Sequence, residues 1–423
     1  MFQAFKIKLV GTEEKKRLAG NIFSLWVLTG ANYILPLFTL PYLVRVLGAE
    51  YFGLLAFATA TITYFNLITD YGFNLSATQQ ISINRNNKEK ISEIFSSVMI
   101  TKAVLLIFSF FILCIVLLSF DKFSRNWKVY FLTFGTVIGQ ALFPVWLFQG
   151  LEKMKIVTYL NISAKIFFTI CVFILVKNKQ DYYYVPLLSS LGFLFVGIWS
   201  LVLAKSEFNL AFNWPTLKVV KYQLYEGWYI FSSSITISLY TISATFFLGL
   251  FTNNIIVGYF SAADKIIQAI KSLYQAVSQS IFPLIGNKIH DNKLAALALL
   301  NKITWIVGIG MFIISTLVFS LADDIINVFL GKQYYRSVLL LKIMSFLPFI
   351  IALSNMFGVQ TMLNLGLKKA FSRIVGFAAI LGIILTMVVV PLFHELGTAL
   401  VLLTVEIFVV IVMYIYLKII VKI

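Results

Sequence analysis

Seven basic side chains stand where charge is costly. Arg45, Lys102, Lys165, Lys265, Lys271, Lys302 and Lys342 all lie within, or near the ends of, long apolar runs. The acidic residues placed comparably are fewer: Asp70, Asp264 and Glu406, with Glu93 near a run's end. An ionised side chain at the centre of a bilayer costs about 2.5 kcal/mol or more, so such residues generally face hydrated space or pair with one another. A hydrated interior lined by this set is net positive, and the guest it suits is an anion. Each residue also has a simpler reading. Long stems let Arg45, Lys102, Lys302 and Lys342 snorkel to an interface. Lys165 sits deeper, in NISAKIFF beside Asn161 and Ser163, and Lys271 lies among glutamines rather than leucines.

Two polar stripes organise these charges. One runs Thr59, Thr63, Asn66, Asp70, Asn74; the other runs Asp264, Gln268, Lys271, Gln275, Gln279. Steps of three and four residues put each stripe on one helical face. Gln149 adds an amide before a basic exit. These amides suit a polar, uncharged part of a guest. Asp264 and Lys265 are neighbours in sequence and point about 100° apart on a helix, which makes them poor partners for each other. Asp70 reads either as a protonatable coupling residue or as the buried partner of one of the lysines. Glu406 is a further candidate for a proton or a cation. Ser234, Ser238, Thr241 and Thr245 share a face that fits cavity lining or close helix packing.

Other chemistry is not signalled. No GxxxxGK[ST] phosphate loop and no HExxH occurs, and His290 and His394 lie far apart. The two cysteines, Cys114 and Cys171, sit in apolar runs and suggest no disulfide framework. The expectation is therefore no catalytic residue, no metal site, no cofactor and no enzyme. Movement of a guest would draw on a proton or sodium gradient, the membrane potential or consumption of the product.

The elements that must position these residues are membrane-spanning helices. Sixty per cent of the 423 residues are apolar, 12% are charged, and mean hydropathy is +0.92. Apolar runs of roughly 20 residues match a bilayer core of about 30 Å, and backbone groups in lipid must pair within helices. Twelve spans are expected, near 19–45, 52–82, 92–119, 129–149, 156–176, 182–204, 228–251, 254–286, 295–320, 337–365, 370–391 and 397–417. The first run is too long for a cleavable signal and reads as a spanning helix with its amino end inside.

The net charge of +17 follows from topology rather than from nucleic acid. Twenty basic residues fall on the side of the amino terminus. Seven fall opposite: Lys122, Arg125, Lys128, Lys177, Lys179, Lys332 and Arg336. This bias places both termini in the cytoplasm. Pro36, Pro41, Pro144 and Pro348 are expected to bend or interrupt their helices. The longest polar connection, near the middle, suggests an amino-terminal six-helix lobe (1–204), a cytoplasmic interfacial linker (205–227) and a carboxy-terminal six-helix lobe (228–423). A glutamine followed by Gly-Leu recurs in FQGLEKMK and VQTMLNLGLKK, a faint sign that the halves are repeats.

Several segments together carry a resemblance. They are LPYLVRVLG (40–48), EYFG (50–53), DYGF (70–73) with Ser76 to Thr78, WLFQGLEKM (146–154), YFSAADKI (259–266), and FLGKQY (329–334) with Ser337. In these the chain resembles the bacterial polysaccharide repeat-unit (O-antigen) flippases of the multidrug/oligosaccharidyl-lipid/polysaccharide transporter superfamily. The resemblance implies an all-α integral membrane protein with twelve helices in two six-helix lobes around a central cationic cavity. It implies as substrate an undecaprenyl diphosphate carrying a short oligosaccharide, flipped across the bacterial inner membrane by alternating access. The polysaccharide polymerase and chain-length regulator, membrane lipid, and no nucleic acid, are the partners that follow. Arg45, Asp70, Gln149, Asp264 and Lys265 fall inside matching segments. Lys102, Lys165, Lys271, Lys302 and Lys342 rest on the charge argument alone. An ion-coupled drug or cation antiporter of the same superfamily is the main rival, disfavoured by the interior lysines. A membrane polymerase or ligase is a lesser one, since the chain has no large outside loop.

Overall fold

The computed structural model describes residues 13–241 and 243–420, and within them the regular structure is entirely helical. Helix α1 (Glu13–Asp70) is 58 residues long, about 87 Å at 1.5 Å per residue, nearly three times the bilayer core. It breaks at Gly48, whose φ of 71° lies in the left-handed region that glycine adopts freely. A second break follows at Tyr71 and Gly72 (φ 46° and 78°), and α2 (Phe73–Ile83) completes the second pass.

Then come α3 (Lys88–Ser119), α4 (Trp127–Leu142) with its continuation α5 (Val145–Gly150), α6 (Met154–Leu175) and α7 (Tyr184–Phe208). After these follow α8 (Leu217–Thr241), α9 (Ser243–Phe251), α10 (Asn254–Asp291) and α11 (Lys293–Ser320). The tenth pass is α12 (Ser337–Met344), α13 (Leu347–Asn355) and a π-helical stretch, Met356–Leu363. Helix α14 (Lys368–Ile420), 53 residues, makes two passes and breaks at His394 (φ 49°), three residues after Pro391. The described residues thus make the expected twelve passes. Pro144 and Pro348 sit at breaks, between α4 and α5 and at the start of α13. Outward faces are apolar, as lipid requires: Leu118, Trp305 and Leu392 are among the large exposed side chains.

The chain folds into two compact units. One holds the described residues up to Thr39 together with Ala58–Ile235; the other holds Leu40–Phe57 and the described residues from Thr236 on. The first packs around Phe73, Ile81, Trp146, Leu147 and Phe148. The second packs around Tyr274, Ile285 and Met356, and around Met362, Val405 and Met413.

This division differs from an even split at residues 204–228 in two ways. Residues 205–227 are built into the first unit: Leu210 joins its core, Ala211 and Asn213 donate backbone N–H groups to Ser92 and Ser96 Oγ, and Gln223 is buried. In addition, 40–57 folds with the second unit. A Cβ at Gly53 would lie 1.8 Å from the Asn254 carbonyl oxygen, and one at Gly258 would lie 2.0 Å from that of Ala49. Two helices therefore touch backbone to backbone there, a crossing that only glycine permits.

Candidate functional site

In the first unit the polar stripe meets the helix break at Asp70, with Asn74 just beyond it on α2. Asp70 is the last residue of α1, and its carboxylate Oδ1 lies 3.6 Å from Nζ of Lys102 on α3. The Lys102 side chain is 4% exposed and that of Asp70 33%, so the pair presents its acidic member. The break itself is braced by α8. The Tyr71 ring stacks on Phe231 at 4.4 Å, and a Cβ at Gly72 would meet the Ile230 side chain at 2.7 Å. Asn66, one turn before Asp70, is half-buried; so is Lys165 on α6, while Gln149 on α5 is exposed.

Two further polar clasps lie in this unit. Gln80 and Gln223 exchange amide hydrogen bonds of 3.1 Å in both directions, and Gln223 Nε2 also donates to Ser97 Oγ at 3.2 Å. Arg85 pairs with Glu152 at 2.5 Å and donates from Nε to the Gly150 carbonyl at 2.8 Å. The WLFQGLEKM segment is thereby pinned beside α2.

In the second unit α10 carries two kinds of polar residue. Its open face carries Lys265, Gln268 and Gln275, all exposed, with Asp264 and Lys271 half-buried. Gln268 Nε2 donates to Asp264 Oδ1 at 3.3 Å. The Gln279, Ser234 and Thr241 side chains lie outside the described residues. Ser272, Tyr274 and Ser278 of the same helix are buried. Tyr274 Oη and Ser278 Oγ both donate to Asn355 Oδ1, at 2.9 and 2.7 Å, and Gln360 Nε2 donates to Ser278 Oγ at 2.9 Å. Gln360 is fully buried in the π-helical stretch, where the widened turn aims its side chain at α10. The buried network belongs to packing, while Lys265, Gln268 and Gln275 are exposed and Lys271 is half-buried.

Lys102, Lys342 and Arg45, all expected to line one hydrated space, have partners inside the protein. Lys102 is buried against Asp70. Lys342 Nζ lies 2.6 Å from Asp323 Oδ2, because one helical turn, Ala322–Ile325, folds back over α12. The exposed Arg45 donates its guanidinium to the Val328 carbonyl, while Gln333 Nε2 donates to the Val44 carbonyl at 3.0 Å. The segments 40–48 and 329–334 thus clasp each other, which gives these motif residues a structural task. Lys302 on α11 is exposed, and Glu406 on α14 is half-buried.

One ion pair was not foreseeable from loop charge alone. Arg336 donates to Glu395 at 3.0 Å and lies 5.7 Å from the Tyr259 ring centroid. The Glu395 side chain is 8% exposed. Its position in the short gap between the last two expected spans is the one sequence-level sign. Arg336→Ala is expected to destabilise by about 1–2 kcal/mol, since it leaves a buried carboxylate without its partner but the guanidinium itself is largely exposed. Glu395→Gln should cost less, because the amide oxygen still accepts from the guanidinium. Thermal unfolding of both purified variants measures the difference.

Comparison with known proteins follows the same outline. A family described as "Polysaccharide biosynthesis protein" matches residues 18–290. The chain is 33% identical over 392 residues to a protein of Escherichia coli (strain K12) named "Putative O-antigen transporter", covering 93% of this chain and 94% of that one. It is 30% identical over 393 residues to a protein of the same name from Shigella dysenteriae, covering 93% and 98%. Among solved structures it is similar to the lipid II flippase MurJ in an inward closed conformation, with a TM-score of 0.70, 14% identity, and 94% and 87% of the two chains covered. It is also similar to an inward-facing multidrug resistance MATE family transporter of the MOP superfamily, with a TM-score of 0.67, 12% identity, and 91% and 94% covered. At such identities the structural likeness speaks for the fold alone. The sequence matches cover most of the chain and include the clasped 40–48 segment, the Asp70 break and the α10 stripe, so the chain belongs to the polysaccharide biosynthesis protein family.

Proposed function

We propose that the protein is a flippase that carries an undecaprenyl-diphosphate-linked oligosaccharide from the inner to the outer leaflet of a bacterial inner membrane. The observation that carries this reading is the α10 face, where reachable cations stand among reachable amides: Lys265 and Lys271 with Gln268 and Gln275. The lysines suit a diphosphate, the amides suit sugar hydroxyls, and the prenyl tail stays in lipid. Names of the relatives, which refer to O-antigen transport, support the same cargo. In this reading both termini are cytoplasmic, and the polymerase with its chain-length regulator consumes the product outside.

Movement proceeds by alternating access, with proton or sodium coupling through Asp70. Its carboxylate is a third exposed and held by Lys102, so it can exchange that pairing for an incoming cation. Collapse of the ion gradient is expected to stop flipping in vesicles; flipping at an unchanged rate would remove the coupling role.

Complementation tests the cargo. The wild-type gene should restore surface polysaccharide to a strain lacking its flippase. Lys265→Ala with Lys271→Ala should lower that restoration at least tenfold, given roughly 1.5–3 kcal/mol for a hydrogen bond to a charged group. Amounts of protein in the membrane should stay equal. A drug antiporter would instead raise drug resistance and ignore both lysines.

A further inference from the structure

The second unit holds a groove that the proposed transport does not use. It has a volume of about 580 Å³ and lies between α11, the tenth pass and the last turns of α14, within the 300–1,000 Å³ typical of ligand sites. Its two ends differ. Asn301, Thr304, Thr361 and Lys418 line one end; Ile309, Phe312, Phe349 and Leu353 line the other. From Asn301 to Phe312 along α11 is about 16 Å at 1.5 Å per residue, about half of a bilayer core of roughly 30 Å.

The groove is open because Gly308 floors it. A Cβ there would stand 3.5 Å from Leu353, with no other heavy atom within 4 Å. Its walls carry paired rings, Phe312 with Phe349 at 5.4 Å and Phe357 with Tyr414 at 5.7 Å. Lys418 lies in the last turn of α14 and is exposed. Lys302, next to Asn301, is exposed at the same end of α11, and among the described residues no acidic one lines the groove.

We infer that this groove is a binding site for one anionic phospholipid, its acyl chain along Gly308 and Phe312 and its phosphate at Lys418. The length matches a chain confined to a single leaflet, and the positive polar end matches a negative headgroup. A long polyprenyl chain exceeds the groove, which separates this site from the transported cargo. The inference therefore stands or falls independently of the proposed function.

The test is lipid retention by the purified full-length protein, read by native mass spectrometry after exchange into mixtures of phosphatidylglycerol, phosphatidylcholine and undecaprenyl phosphate. Wild type should retain one phosphatidylglycerol with about a fivefold preference over phosphatidylcholine, the scale expected for one lysine near an anionic headgroup. Lys418→Ala should lose the preference while still retaining lipid. Gly308→Leu, which fills the floor, should lose retention of both phospholipids, with its elution volume and helical circular dichroism unchanged. Equal retention of the two phospholipids by wild type, or preferred retention of undecaprenyl phosphate, would overturn the assignment. So would retention by Gly308→Leu equal to that of wild type.

Discussion

Asp70→Asn is expected to damage the protein more by itself than together with Lys102→Met. The lysine ammonium sits 3.6 Å from the carboxylate on a side chain only 4% exposed. Removing the negative charge strands a buried cation, a loss that costs about 3–5 kcal/mol when both partners are enclosed. Asp70 is a third exposed, so the lower end of that range applies. Methionine keeps the length and apolar stem of Lys102 and needs no counter-charge. The double variant should therefore unfold within about 1 kcal/mol of wild type, a non-additivity diagnostic of direct coupling. Thermal unfolding in detergent measures it. Simple addition of the two single effects would show that the pair is not coupled. Transport separates stability from mechanism: if Asp70 also exchanges its partner for an ion, the refolded double variant stays inactive.

Gly53→Ala and Gly258→Ala should each destabilise strongly, against the usual sign for such changes. In a helix interior, alanine in place of glycine normally stabilises by about 0.5–1 kcal/mol. Here the added Cβ would lie 1.8 Å from the Asn254 carbonyl oxygen or 2.0 Å from that of Ala49. A Cβ has no rotamer to escape into, and both obstacles are backbone, so the helices must separate. Overpacking of this kind costs about 1–3 kcal/mol, occasionally more. Gly310→Ala is the control, because nothing stands within 4 Å of its Cβ; it should be neutral or mildly stabilising. Monodisperse yield and unfolding temperature of the three variants report the contrast, and equal behaviour of all three would refute the backbone crossing.

Run lengths and polar spacing are local properties, and they were readable before any coordinates. The twelve passes followed from them, and the three- and four-residue steps put Asp264, Gln268, Lys271 and Gln275 along one helix, α10. Pairings across the fold were not readable. Buried charge marked Asp70 and Lys102 separately, but 32 residues and a helix break separate them. Lys342 looked solitary in a leucine run because its partner, Asp323, precedes the span and returns to it only through a one-turn helix. At Arg45 motif and charge coincide, but its carbonyl partner, Val328, has no sequence signature. The placement of 40–57 in the second unit depends on backbone proximity at Gly53 and Gly258, and a glycine in a sequence does not say what approaches it.

The proposed flippase uses the cations and amides of α10 to carry an anionic, sugar-bearing lipid across the membrane. The most direct measurement uses proteoliposomes containing undecaprenyl-diphosphate oligosaccharide. The rate at which the sugar becomes accessible to a membrane-impermeant lectin on the opposite face is followed under an imposed ion gradient. The account predicts rapid exposure with wild-type protein and at least tenfold slower exposure with Lys265→Ala and Lys271→Ala combined, on the scale of charge-assisted hydrogen bonds. Exposure at the rate of protein-free vesicles, or a double variant as fast as wild type, would contradict it.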